Sequence, residues 1–115
     1  GPGCDTVRRV QVKDYEHVVG IWKDARIGTF RGLRAGAHDY GAFVYGSKGK
    51  AQSGPYAGFT PLLDEVVKFF KTGKPPIPEE ETIELFAFMS AADESKKKDG
   101  AAVSVREVLE KAGRK

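Results

Sequence analysis

Catalysis needs side chains that converge, and this sequence offers few: two histidines (His17, His38), one cysteine (Cys4), and carboxylates expected in helix first turns and at surface positions. Asp14 and His17 stand three apart, a spacing that aligns side chains on a helix but not at a strand entrance, so two solvated polar residues are expected. His38 and Asp39 precede a strand with no serine or cysteine nucleophile placed nearby by any motif, and no helical histidine pair supports a metal site. The run Tyr45-Gly46-Ser47-Lys48-Gly49-Lys50 has glycines to expose amides and lysines to supply charge. It fails phosphate-loop spacing and lies between two strands, which makes it a hairpin turn. Lys23, Arg26, Arg31, Arg34, Lys48 and Lys50 interleave with Trp22, Phe30, Tyr40, Phe43 and Tyr45, the ingredients of a single-strand nucleic-acid platform. The stretch from Asp39 to Gly46 does not satisfy the RNP1 pattern, and a net charge of +3 is modest for binding by counterion release. Nucleic acid is therefore not the expected partner, and no catalytic, cofactor-binding or metal-binding residue is assigned.

The elements that position these groups follow from length and pattern. A chain of 115 residues, 40% hydrophobic and 30% charged, has the size and composition of one globular domain, residues 1–115. No apolar run approaches the roughly 20 residues of a membrane span. A lone Cys4 excludes an internal disulfide and fits a reducing, cytoplasmic setting. Strands are expected over 6–53 and helices over 61–113, an α+β fold in which an antiparallel open-faced sheet of about four to five strands is followed by three helices packed on one face.

From Thr6 to Lys13, Val7, Arg9 and Gln11 alternate with Arg8, Val10 and Val12. Val18 to Trp22 and Ile27 to Leu33 form a hairpin around Lys23-Asp24-Ala25-Arg26, and Tyr40 to Tyr45 and Lys50 to Ser53 form a second. A two-residue turn at Asp24 and Ala25 wants positive φ at both, which alanine tolerates poorly, so a longer loop is open. With the two-residue turn, Val19, Ile21 and Phe30 share one face and Val18, Trp22 and Ile27 the other. Both faces are then apolar, and the helices cover only one. These six residues are the candidate sheet interface. Thr60 and Pro61 open the first helix as N-cap and N1, Gly73 ends it, and Leu62, Leu63, Val66, Val67, Phe69 and Phe70 give it a broad stripe to bury. Pro78 starts the second, with Glu79 to Glu81 in its first turn and Lys96 to Lys98 in its last, before Gly100. Ser104 and Glu107 form a capping box for the third.

The run from Thr60-Pro61-Leu62-Leu63-Asp64-Glu65 through Gly73-Lys74-Pro75-Pro76, followed by Glu80-Glu81-Thr82-Ile83-Glu84-Leu85-Phe86, resembles the C-terminal end of the Gfo/Idh/MocA oxidoreductases. Ala91-Ala92-Asp93-Glu94-Ser95-Lys96, Val103-Ser104-Val105, Trp22-Lys23-Asp24 and Gly28-Thr29-Phe30-Arg31-Gly32 continue the likeness. The resemblance implies a two-domain enzyme. An N-terminal Rossmann half holds NAD or NADP, and a C-terminal α/β domain has an open sheet that commonly forms the subunit contact. Hydride moves between nicotinamide and a sugar or polyol carbon. The family's glycine-rich fingerprint, Glu-Lys-Pro segment and Asp/His catalytic motif are absent from this chain. The expectation is therefore a C-terminal portion, inactive and cofactor-free alone, that forms a homo-oligomer through its open sheet face and works with an upstream Rossmann half.

Overall fold

The computed structural model describes residues 1–36 and 39–113. Among these, the chain runs β1 (Cys4–Gln11), β2 (Tyr15–Trp22), β3 (Ile27–Leu33), β4 (Phe43–Gly46), β5 (Gly49–Gln52), α1 (Thr60–Thr72), α2 (Glu79–Lys97), β6 (Val103–Ser104) and α3 (Val105–Lys111). It divides into two compact units, one of Gly1–Gly36 with Ile77–Lys115 and one of Ala37–Pro76. The α+β class follows as expected, with a four-stranded antiparallel sheet, a separate two-stranded sheet and three helices.

The first unit holds the larger sheet, in the order β3-β2-β1-β6, with every pair antiparallel. The alternation along β1 is the one its sequence dictates. Val7, Arg9 and Gln11 turn toward α2, and Val7 is fully buried there. On α2 the residues against the sheet are small: Ala87, Ala91, Ala92 and Ser95 are buried. Lacking bulk, they let the helix axis approach β1 closely, and the core is completed by Cys4, Val18, Val103 and Val105, with Trp22 and Phe88 packed at its side. The acidic first turn Glu79 to Glu81 and the basic end at Lys96 and Lys97 complement the helix dipole. Ser104 caps α3, accepting from the Glu107 amide at 3.4 Å. The two-residue β6 has too short a pattern to show in the sequence and pairs with Thr6 and Val7 of β1.

The β2–β3 hairpin is closed by a three-residue loop, Lys23 to Ala25, and not by a two-residue turn. The Trp22 amide donates to the Arg26 carbonyl at 2.9 Å and the Ala25 amide to the Trp22 carbonyl at 3.0 Å. Ala25 sits at φ 67, the left-handed position that such loops usually fill with glycine. A Cβ there costs roughly 1–2 kcal/mol. Ala25→Gly therefore raises stability by roughly 0.5–1 kcal/mol after glycine's own entropic cost, a gain readable as a higher urea midpoint with unchanged slope.

The second unit contains the β4–β5 hairpin, paired from Phe43–Gln52 to Gly46–Gly49, and α1. The Tyr45–Lys50 run is the hairpin turn expected of it. Two expectations are corrected here. Thr60 is the first helical residue and not the N-cap, a place taken by Phe59, which has helical φ and no side chain able to cap. The apolar stripe of α1 is not buried: none of its residues is, and Phe70 is 80% exposed. Helical spacing predicts that a face is apolar, not that this unit supplies its cover. Gly73 does end the helix, at φ 67, its amide donating to Phe69 at 2.7 Å.

Candidate interaction surface

The longer hairpin loop moves the β2–β3 register by one residue from that of a two-residue turn. Val18 pairs with Phe30, Val19 with Thr29 and Ile21 with Ile27. The expected groupings are therefore exchanged: Val18, Trp22 and Phe30 share the side facing α2, while Val19, Ile21 and Ile27 share the opposite one. Each side still carries apolar groups. On the α2 side Val18 is buried and Trp22 stacks on Phe88, ring centroids 6.3 Å apart. On the other side no element of the unit lies over the sheet among the described residues, and Ile27 is 69% and Val10 59% exposed.

The same alternation separates the groups of the nucleic-acid reading. Trp22 and Phe30 turn to the α2 side, whereas Arg31 lies on the open face with its guanidinium carbon 5.6 Å from the Tyr15 ring centre. Arg26 lies 5.6 Å over Trp22 at the hairpin end and is held by Asp24. Within this unit, sequence interleaving does not become a shared platform of rings and cations.

The candidate acid/base pair is not assembled either. His17 projects from the open face between Val10 and Arg31 in the cross-strand row, while Asp14 lies in the β1–β2 turn, its carbonyl accepting from the Arg34 amide at 2.9 Å. His38 lies outside the described residues. Among the described residues no cluster of three or more His, Cys, Asp or Glu could hold a metal ion, and no helix is long and apolar enough to cross a membrane.

Two polar arrangements were not anticipated from sequence. Arg9, on the α2 side of β1, pairs with both Glu16 of β2 and Asp93 of α2, and Glu16 also accepts from Arg34 at 2.7 Å. This network closes one end of a groove of about 510 Å³ lined by Val18, Phe30, Phe88 and Met89. The alternation that put Arg9 beside Val7 was the available signal, since a cation on a buried side requires carboxylates. At the other end of the sheet Glu84 of α2 accepts from the amides of Gly3 at 2.8 Å and Cys4 at 3.0 Å, fixing the start of β1. Burial pushes the Cys4 thiol above its ordinary range, with the Glu84 charge adding to it, and the side chain packs in the core beside Val7.

A dinucleotide is held where a parallel strand turns through glycines into a helix N-terminus. Among the described residues every strand pairing is antiparallel, and the Gly46–Gly49 turn and the Lys23–Ala25 loop both join strand to strand. No parallel strand leading through glycines into a helix N-terminus occurs among the described residues. The larger sheet is packed by α2 along β1 and the middle of β2 on one side and is exposed, with Val10, Ile21 and Ile27, on the other. Comparisons with known protein families, with curated proteins and with solved structures give no match.

Proposed function

We propose that this chain is the C-terminal portion of an NAD(P)-dependent sugar or polyol oxidoreductase of the Gfo/Idh/MocA kind. In this reading it is a structural and oligomerisation domain that supplies sheet, helical cover and one wall of the substrate cleft. The nicotinamide cofactor and the catalytic groups belong to an upstream Rossmann half. The observation that carries the reading is the one-sided sheet: α2 packs on β1 and the middle of β2 from one side, while Val10, Ile21 and Ile27 are exposed on the other. Apolar strand faces of this extent are contact surfaces. The open face then joins the domain to the rest of a homo-oligomeric enzyme, and the chain by itself neither binds dinucleotide nor turns over substrate.

Calorimetric titration of this chain with NAD and with NADP tests the assignment, and the expected result is no heat of binding with either. Micromolar binding overturns it, because the cofactor site would then lie within these residues. A second reading, a free-standing interaction module that uses the same face, draws support from the exposed Arg8 and Arg31 flanking that apolar surface. Finding no coding sequence for a Rossmann half upstream of Gly1 would favour the module.

A further inference from the structure

Asp99 and Gly100 form the chain's one Asp-Gly pair, and the sequence contains no asparagine. Here alone a short side-chain carboxyl is followed by a backbone amide whose own residue has no Cβ to obstruct ring closure between the two. The pair sits in the turn that ends α2. Asp99 lies at φ 54 and Gly100 at φ 84, and the Ala101 amide donates to the Lys98 carbonyl at 3.1 Å. The Gly100 amide donates back to the Ser95 carbonyl at 2.9 Å, which closes the helix end. Ser95 Oγ donates to the Ala101 carbonyl at 2.6 Å, so the turn is bonded on both sides of the pair. Gly100 also rests on β1, where a Cβ would lie 3.1 Å from Val10 Cγ2. The Asp99 side chain, by contrast, is exposed and has no hydrogen-bond or ion-pair partner among the described residues.

The two groups that would react are therefore in opposite states. Asp99 Cγ, the electrophile, is free to turn, whereas Gly100 N, the nucleophile, has its hydrogen engaged by Ser95 and its position fixed by the turn. We infer that Asp99–Gly100 is a latent isoaspartate site, held unreactive by the C-terminal turn of α2 and released when that turn opens. In the step, Gly100 N bonds to Asp99 Cγ and gives up its proton, the hydroxyl of the carboxyl leaves as water, and a cyclic imide forms. Water then adds to one imide carbonyl and the C–N bond there breaks. Opening at Cγ restores aspartate, and opening at the original peptide carbonyl gives isoaspartate, with no oxidant or cofactor required. Isoaspartate lengthens the main chain by a carbon atom, so the bonds to Ser95 and Lys98 are not both kept and the opening is recorded covalently.

The test follows isoaspartate at position 99 in the intact chain, folded in buffer at neutral pH or unfolded in guanidinium chloride. Peptide mapping with an endoprotease that cuts before aspartate but not before isoaspartate measures it. The folded chain should convert at least about tenfold more slowly than the unfolded chain, and hydrogen-exchange protection of its Gly100 amide should match that retardation within about threefold. In Ser95→Ala, which removes the bond to the Ala101 carbonyl and keeps the Ser95 carbonyl, conversion and Gly100 exchange should rise by the same factor. Equal rates in the folded and unfolded chain overturn the inference, as does retardation with an unprotected Gly100 amide, or exchange that rises in Ser95→Ala without conversion rising. Absence of isoaspartate from the unfolded chain overturns the site itself.

Discussion

Gly20→Val is expected to cost the first unit roughly 2–3 kcal/mol and to lower its unfolding temperature by roughly 10–20 °C. Gly20 is buried at the middle of β2 on the side facing α2, and a Cβ there would lie 2.7 Å from Phe88 Cε2 and 2.9 Å from Trp22 Cζ3. Those two rings stack on each other, so neither can withdraw without breaking the contact that seals the edge of the core. Valine's better strand propensity returns only a fraction of this, since that scale spans about 1 kcal/mol in total. Trp22 is the only tryptophan of the chain, so its fluorescence reports the site directly: the variant's emission shifts to longer wavelength before global unfolding. An unchanged melting temperature with unchanged emission would mean that α2 does not pack over Gly20.

The second large effect is expected at Ser95, where Ser95→Ala lowers stability by about 2 kcal/mol. Its side chain is fully buried in the last turns of α2. The hydroxyl accepts from the Arg9 amide at 2.9 Å and donates to the Ala101 carbonyl at 2.6 Å. Because β6 covers only Thr6 and Val7, this hydroxyl takes the place of a neighbouring strand for the next outward-facing amide of β1. Alanine removes both bonds and leaves the amide without a partner, while the helix itself gains slightly from alanine's propensity. Amide hydrogen exchange separates the two contributions, since the Arg9 amide loses protection in the native state by far more than amides of mid-β2.

The fold class was legible because the two halves use different periods. The β-branched and glycine-rich segments alternate by two, and the segments after Thr60 repeat at helical spacing. Helix ends were legible where a residue acts alone, as Gly73, Pro78 and Ser104 do. The hairpin register was not, because it depends on Ala25 accepting a backbone conformation that its side chain disfavours, and the surrounding pairs of β2 and β3 decide that cost. One residue of slip was enough to regroup Phe30 with Val18 and Ile27 with Val19. The open face itself was legible, since β2 carries apolar groups on both sides in any register. Its charge was not, because segregating Arg8 and Arg31 from Glu16 requires the register of three strands at once. The ion pairs of Arg9 were hidden for a similar reason, as their partners come from β2 and α2 and are distant in sequence.

Val7 meets Val103 across the β1–β6 pair, so the first unit is assembled from two stretches of chain separated by residues 37–76. For the ordered core this intervening segment is a loop whose ends must be brought together, and the entropy of that closure rises only with the logarithm of its length. Doubling it costs about 0.6 kcal/mol. Residues 37–76 are thus a position at which evolution can lengthen, shorten or exchange sequence while the sheet and its helical cover stay as they are.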